Sequence, residues 1–65
     1  MSREGRFLVY CLQVYASAKG MGARRAFELL EERGAIGYIM RNYEALHTTG
    51  EAYIVDDIDR YLANH

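Results

Sequence analysis

His47, followed by Asp56, Asp57 and Asp59, is the nearest approach to a metal-ligand set in this chain of 65 residues. A zinc site needs four ligands converging on one point, most often with more than one His or Cys among them. Here a turn separates His47 from the acids, and helical spacing of about 100° per residue sends the three carboxylates to different sides. The ordinary reading of His47, as a group that caps or tethers a helix end, fits better. His47 acting as a base on Thr48 or Thr49 meets a similar objection. Neighbouring residues at a helix end rarely address one reacting atom, and no orienting acid or oxyanion donor set accompanies them. Gly20-Met21-Gly22 lacks the preceding strand that would make it a phosphate cradle. Cys11 sits among Leu8, Leu12 and Tyr15 and reads as a small core residue. The sequence therefore predicts no catalytic centre, no metal and no cofactor.

The elements that place these residues follow from periodicity. Leu46 reads as the last core residue of one helix, and Thr48-Thr49-Gly50-Glu51 then matches the Ser/Thr-x-x-Glu capping box. His47, Thr48, Gly50 and Glu51 are thus expected to form a structural cap, with Thr48 at its head, that fixes where the last helix starts. Gly50 inside a first turn costs up to about 1 kcal/mol relative to Ala, which implies a close backbone approach holding it there. From there Ile54, Val55, Ile58, Tyr61 and Leu62 form one helical stripe.

Upstream, a first helix is expected from Arg3 or Glu4 to Ala18, with Ser2 as N-cap. Phe7, Tyr10, Cys11, Val14 and Ala18 make one apolar stripe; Leu8, Leu12 and Tyr15 make a second beside it, a face wide enough for two neighbours. Lys19 and a C′ glycine, Gly20, end this helix. The second helix, Ala23 to Arg33, is expected to bury Ala23, Ala26, Phe27 and Leu30 with Leu29 alongside. Its outer face carries an Arg24–Glu28 pair, and Arg25 can reach Glu28 or Glu32. Gly34 separates it from a third helix, Ile36 to Leu46, whose inner positions are Ile36, Ile39, Met40, Tyr43 and Leu46. Proline is absent, and no β-type alternation runs for more than a few residues. The fold class is all-α: a small bundle of about four short helices in a single helical domain, 1–65.

A chain this short buries only about 60% of the surface that its unfolded form exposes. With 51% hydrophobic residues, six Tyr and no disulfide pair, a protein partner or a homo-oligomer is expected. Tyr38 and Tyr53 fall off the main stripes, and Tyr is enriched at interface hot spots. Together with Asp56, Asp57 and Asp59 they are the candidate interaction surface. A formal net charge of −1 argues against a general nucleic-acid binder, though it leaves room for a local basic patch. The single Cys fits a reducing cytoplasm. The short apolar run from Phe7 to Leu12 suits neither a signal peptide nor a membrane span.

The run Tyr43-x-x-Leu46-His47-Thr48-x-Gly50-x-x-Tyr53-Ile54-Val55-x-Asp57-Ile58, preceded by Phe7-x-x-Tyr10 and Tyr15, resembles a family of short bacterial proteins catalogued as a domain of unknown function. The resemblance covers nearly the whole chain. It implies genomic neighbours with ADP-ribosyltransferase-like domains, and hence an antitoxin-like accessory role. One departure is that Gly20-Met21-Gly22 stands where the family's second helix would open on Ser or Thr, so a looser start is expected there. Two functions follow: a non-enzymatic protein-interaction module, or a helix-turn-helix DNA-binding regulator. In the second, the third helix would read the major groove with Arg41 and Asn42 while Arg24, Arg25 and Arg33 reach phosphates.

Overall fold

Ser2 opens the longest helix, α1 (Arg3–Lys19), in a computed structural model that describes residues 1–65. Its hydroxyl accepts from the Gly5 amide at 2.9 Å, satisfying one of the amides a helix start leaves free. At the other end Gly20 adopts φ 67°, a left-handed conformation that glycine takes without a Cβ clash. The amides of Gly20 and Met21 then donate to the carbonyls of Ser17 and Ala16, closing a Schellman turn.

α2 (Ala23–Glu32) starts at Gly22 with no side-chain cap, as the Gly-Met-Gly run implies. It stops one residue before the expected Arg33. Gly34, at φ 78°, then turns the chain directly into α3 (Ala35–Arg41). The outer ion pair of α2 joins Arg25 to Glu28 at 4.0 Å. The Arg24–Glu28 pair expected from the spacing does not form.

The third expected helix is divided. Asn42, at φ −106° and ψ 22°, ends α3, and its side-chain amide donates to the Tyr38 carbonyl at 2.8 Å. This local bond competes with helix continuation, the usual reason for Asn to be a poor helix-interior residue. A single further turn, α4 (Tyr43–Leu46), completes the segment, so the expected all-α bundle of about four short helices is present, with α4 as an added turn.

The start of α5 (Glu51–Asn64) also differs from expectation. Its N-cap is Gly50, with extended backbone and no side-chain cap bond. Thr49 donates its hydroxyl backward to the Leu46 carbonyl at 2.7 Å, closing the end of α4, and Thr48 lies outside the cap. The Thr48–Glu51 capping box is therefore not made, because the helix starts two residues beyond the box's N-cap. A Cβ on Gly50 would meet nothing within 4 Å, so no close approach explains it either. Standing outside the helix, Gly50 escapes the propensity cost of an interior glycine.

α1 packs against α2, α3 and α5. Phe7, Cys11 and Tyr15 of α1 meet Leu30, Ala35, Ile39, Leu46, Ile54 and Ile58 in one core. Leu30, Ile39, Ile54 and Ile58 are fully buried, each contributing roughly 1.5–3 kcal/mol through apolar burial. On α1 the buried ridge is thus the 7-11-15 row between the two expected stripes. Tyr10 and Ala18 are exposed and Val14 is half-buried. Ala23, Phe27 and Met40, expected inside, are exposed as well. The physical reason is coverage: the short α2 and α3 turn only the rows of Ala26–Leu30 and Ala35–Ile39 inward, and positions one residue further round have no neighbour to cover them. No helix is long and apolar enough to cross a membrane.

Candidate functional site

The acids of α5 divide by direction. Residues 57 and 59 are two positions apart, about 200° around a helix, so they face different neighbours. Asp57 accepts from the Tyr38 hydroxyl at 2.6 Å and meets Arg60 at 3.0 Å. Asp59 accepts from the Tyr15 hydroxyl and from Lys19, both at 2.7 Å. The Asp57 hydrogen bond, then burial, pushes the Tyr38 phenol up to about 12. Burial, then the Asp59 hydrogen bond, does the same for Tyr15, also to about 12. For Asp59 burial pushes the carboxyl up, but the bonds from Lys19 and Tyr15 together hold it below its ordinary value.

Tyr38, Asp57 and Asp59, expected on an interaction surface, are consequently committed to intramolecular bonds. Tyr38 also stacks on Tyr61 at 4.3 Å between centroids. Tyr53 and Asp56 do face outward. Tyr53 is 49% exposed, with the Arg60 guanidinium 5.6 Å from its ring centroid. The structure does bring Tyr38, Tyr53 and Asp57 to one shallow hollow of about 180 Å³, floored by Asn42, Leu46 and Thr49.

His47 lies against its own helix end. Its Nδ1 is 2.8 Å from the Tyr43 carbonyl and 3.1 Å from that of Glu44, and its ring stacks on Tyr43 at 4.4 Å. His65 repeats the arrangement on Tyr61, with a 4.1 Å stack and a 3.1 Å approach to the Tyr61 carbonyl. The Tyr-x-x-x-His spacing of both pairs was legible in the sequence as an i,i+4 neighbourhood. No three His, Cys, Asp or Glu side chains gather as a metal set. Cys11 is fully buried, and burial pushes its thiol up to about 12, which keeps it protonated and unreactive at neutral pH.

The most voluminous hollow, a groove of about 440 Å³, lies between α1 and α5, walled by Val14, Ala18, Ala52 and Val55 with Ser17 among them, and edged by Glu51 and Asp56. Sequence reading assigned Val14 and Ala18 to the core and so missed it. The signal that could have found it was the excess width of the α1 apolar face. Tyr10, 40% exposed, extends this face by a turn. Partial desolvation, then the nearby Glu51 charge, raises its phenol above the ordinary value.

The surfaces a DNA reader would use are modest. α3 has seven residues, the Asn42 amide is bonded to Tyr38, and Arg33 donates to the Leu62 carbonyl.

A family model described as a protein of unknown function (DUF3791) matches residues 6–65. No curated protein and no solved structure matches the chain.

Proposed function

The chain belongs to the DUF3791 family, and from its geometry we propose that it is a non-enzymatic protein-interaction module. The observation that carries this reading is the open apolar groove between α1 and α5, continued by the exposed Tyr10. A groove walled by small aliphatic side chains lets another backbone come close, the geometry of helix-in-groove recognition. The groups that chemistry would need are committed elsewhere: Asp57 and Asp59 to tyrosines, His47 to its helix end, Cys11 to the core.

In its specific form the reading is a cytoplasmic, antitoxin-like accessory partner of a co-encoded ADP-ribosyltransferase-like protein. Its support is the resemblance carried by Tyr43 to Ile58, together with a lone reduced cysteine. Light scattering on a sizing column, with the chain alone and co-expressed with the products of neighbouring genes, tests it. A heteromeric peak is expected. A homodimer or monomer that ignores every neighbour overturns the reading. The rival DNA-binding reading draws no support from α3, and a salt-dependent gel shift is the result that would restore it.

A further inference from the structure

The groove between α1 and α5 has an asymmetric chemistry. Its walls are small aliphatic side chains at helical spacing, Val14 and Ala18 on one helix and Ala52 and Val55 on the other, and small walls let another backbone come close. Its only charged lining groups are Glu51 and Asp56, both acidic and both exposed. Lys19, which follows Ala18, is held on Asp59 at 2.7 Å and is not among the lining groups. With no convergent set of polar groups, the groove has little to orient a small polar ligand. A second copy related by a two-fold axis would set Glu51 and Asp56 against the same acids. The shape and charge suit the helix-in-groove mode of recognition, with cations flanking the inserted row.

Resting on the interaction-module reading, we propose that this groove receives an amphipathic helix of a partner protein, one with a row of small aliphatic residues flanked by Lys or Arg. Tyr10, one turn along from Val14, extends the contact row to residues 10–18, a span of about 12 Å at the helical rise. That length takes roughly two turns of a partner helix.

The test uses a fluorescent synthetic peptide of about 18 residues, long enough for helix in water, with an Ala/Leu face and Lys flanks. Its twin carries Glu in place of Lys. The full chain is expected to bind the Lys peptide, more weakly as salt rises, and to ignore the Glu peptide. Ala18→Lys and Ala52→Lys lie at exposed helix positions that the fold tolerates, and each is expected to weaken binding at least about tenfold. The Glu51→Lys, Asp56→Lys double variant is expected to reverse the preference between the two peptides. Circular dichroism confirms that each variant is folded.

Equal binding of both peptides, no binding of either, or Lys-peptide binding unchanged by Ala18→Lys overturns the groove assignment. The wider reading is judged separately: a co-expressed partner that still co-elutes with the Ala52→Lys chain refutes the groove and leaves the interaction module standing. Absence of any co-eluting partner for the unaltered chain refutes the module itself.

Discussion

The two sides of α5 are made from similar residues and do opposite things. On one side Ile54 and Ile58 enter the core and Asp57 fastens the helix to Tyr38 of α3, while Asp59, about 200° from Asp57 and one turn beyond Val55, fastens it to Tyr15 of α1. On the other, Glu51, Ala52, Val55 and Asp56 border an open groove, where Tyr10 lies beside Glu51 and no tyrosine hydroxyl bonds Asp56. An aspartate is thus a clamp at 57 and 59 and a free surface charge at 56. What separates them is whether a helix stands opposite with a hydroxyl at the right height.

The comparison is broken most strongly at its apolar positions. Ile58→Ala should cost roughly 2–5 kcal/mol, against a total stability on the order of 3–10 kcal/mol for a chain this long. Val55→Ala on the groove side should cost under about 1 kcal/mol. Thermal and urea melts followed by circular dichroism measure both, and equal losses would mean that the groove is closed in solution.

The clamps come next. Tyr38→Phe should cost about 1–2 kcal/mol and Tyr15→Phe about 1 kcal/mol, since the penalty for an unpaired acceptor grows with its burial. The Asp57 side chain is 13% exposed and that of Asp59 39%. Melts that rank the two variants the other way would show that Tyr15, rather than Lys19, sets the hold on Asp59.

Alkaline pH sharpens the same contrast. Both clamping phenols are raised to about 12, above an ordinary tyrosine value of about 10. A group held protonated by the fold gives its full stabilisation below the unfolded value and loses it as pH rises through the folded one. Stability should therefore decline between about pH 10 and about pH 12. Ultraviolet titration of tyrosinate should show two of the six tyrosines ionising last, together with unfolding. The double variant Tyr15→Phe, Tyr38→Phe should lack that late step. Asp59 works with the opposite sign: its lowered carboxyl stabilises above the ordinary carboxylate range of about 4 and loses this as pH falls through its depressed value.

The smallest effect is expected where the two sides begin. Gly50 has room for a side chain and no cap bond, so Gly50→Ser should gain a few tenths of a kcal/mol, about the Ser–Gly difference at an N-cap. A loss in the melting temperature would indicate that the open N-terminus of α5 is held by something other than its own backbone.

Much of this was legible in the sequence. The Ser2 start and Gly20 stop of α1 are local signals read by nearby backbone, and both appear in the structure. Of the stripe Ile54, Val55, Ile58, Tyr61 and Leu62, the two isoleucines are fully buried and Tyr61 and Leu62 pack half-buried on the core, while half-buried Val55 also walls the groove. The cap at Thr48 failed for an equally local reason that has no periodicity: two adjacent threonines compete, and Thr49 turns back to Leu46. Asn42 likewise had two uses, helix interior or helix end, and the choice depended on a bond to Tyr38. Of the residues proposed as an interaction surface, Tyr53 and Asp56 are exposed, whereas Tyr38, Asp57 and Asp59 are half-buried and bonded within the chain.

By itself the sequence determined an all-helical chain of one domain's length, because helix periodicity and glycine punctuation act over four residues at a time. Tertiary structure alone decided that the 7-11-15 row of α1 faced the core and that Val14 and Ala18 beside it were left to wall a groove. Adjacent rows on one helix are equally apolar, and only the placement of α2, α3 and α5 determines which is covered. The same placement decided which acids found tyrosines. Tyr15 and Asp59 are 44 residues apart, a separation that no helical repeat in the sequence can report.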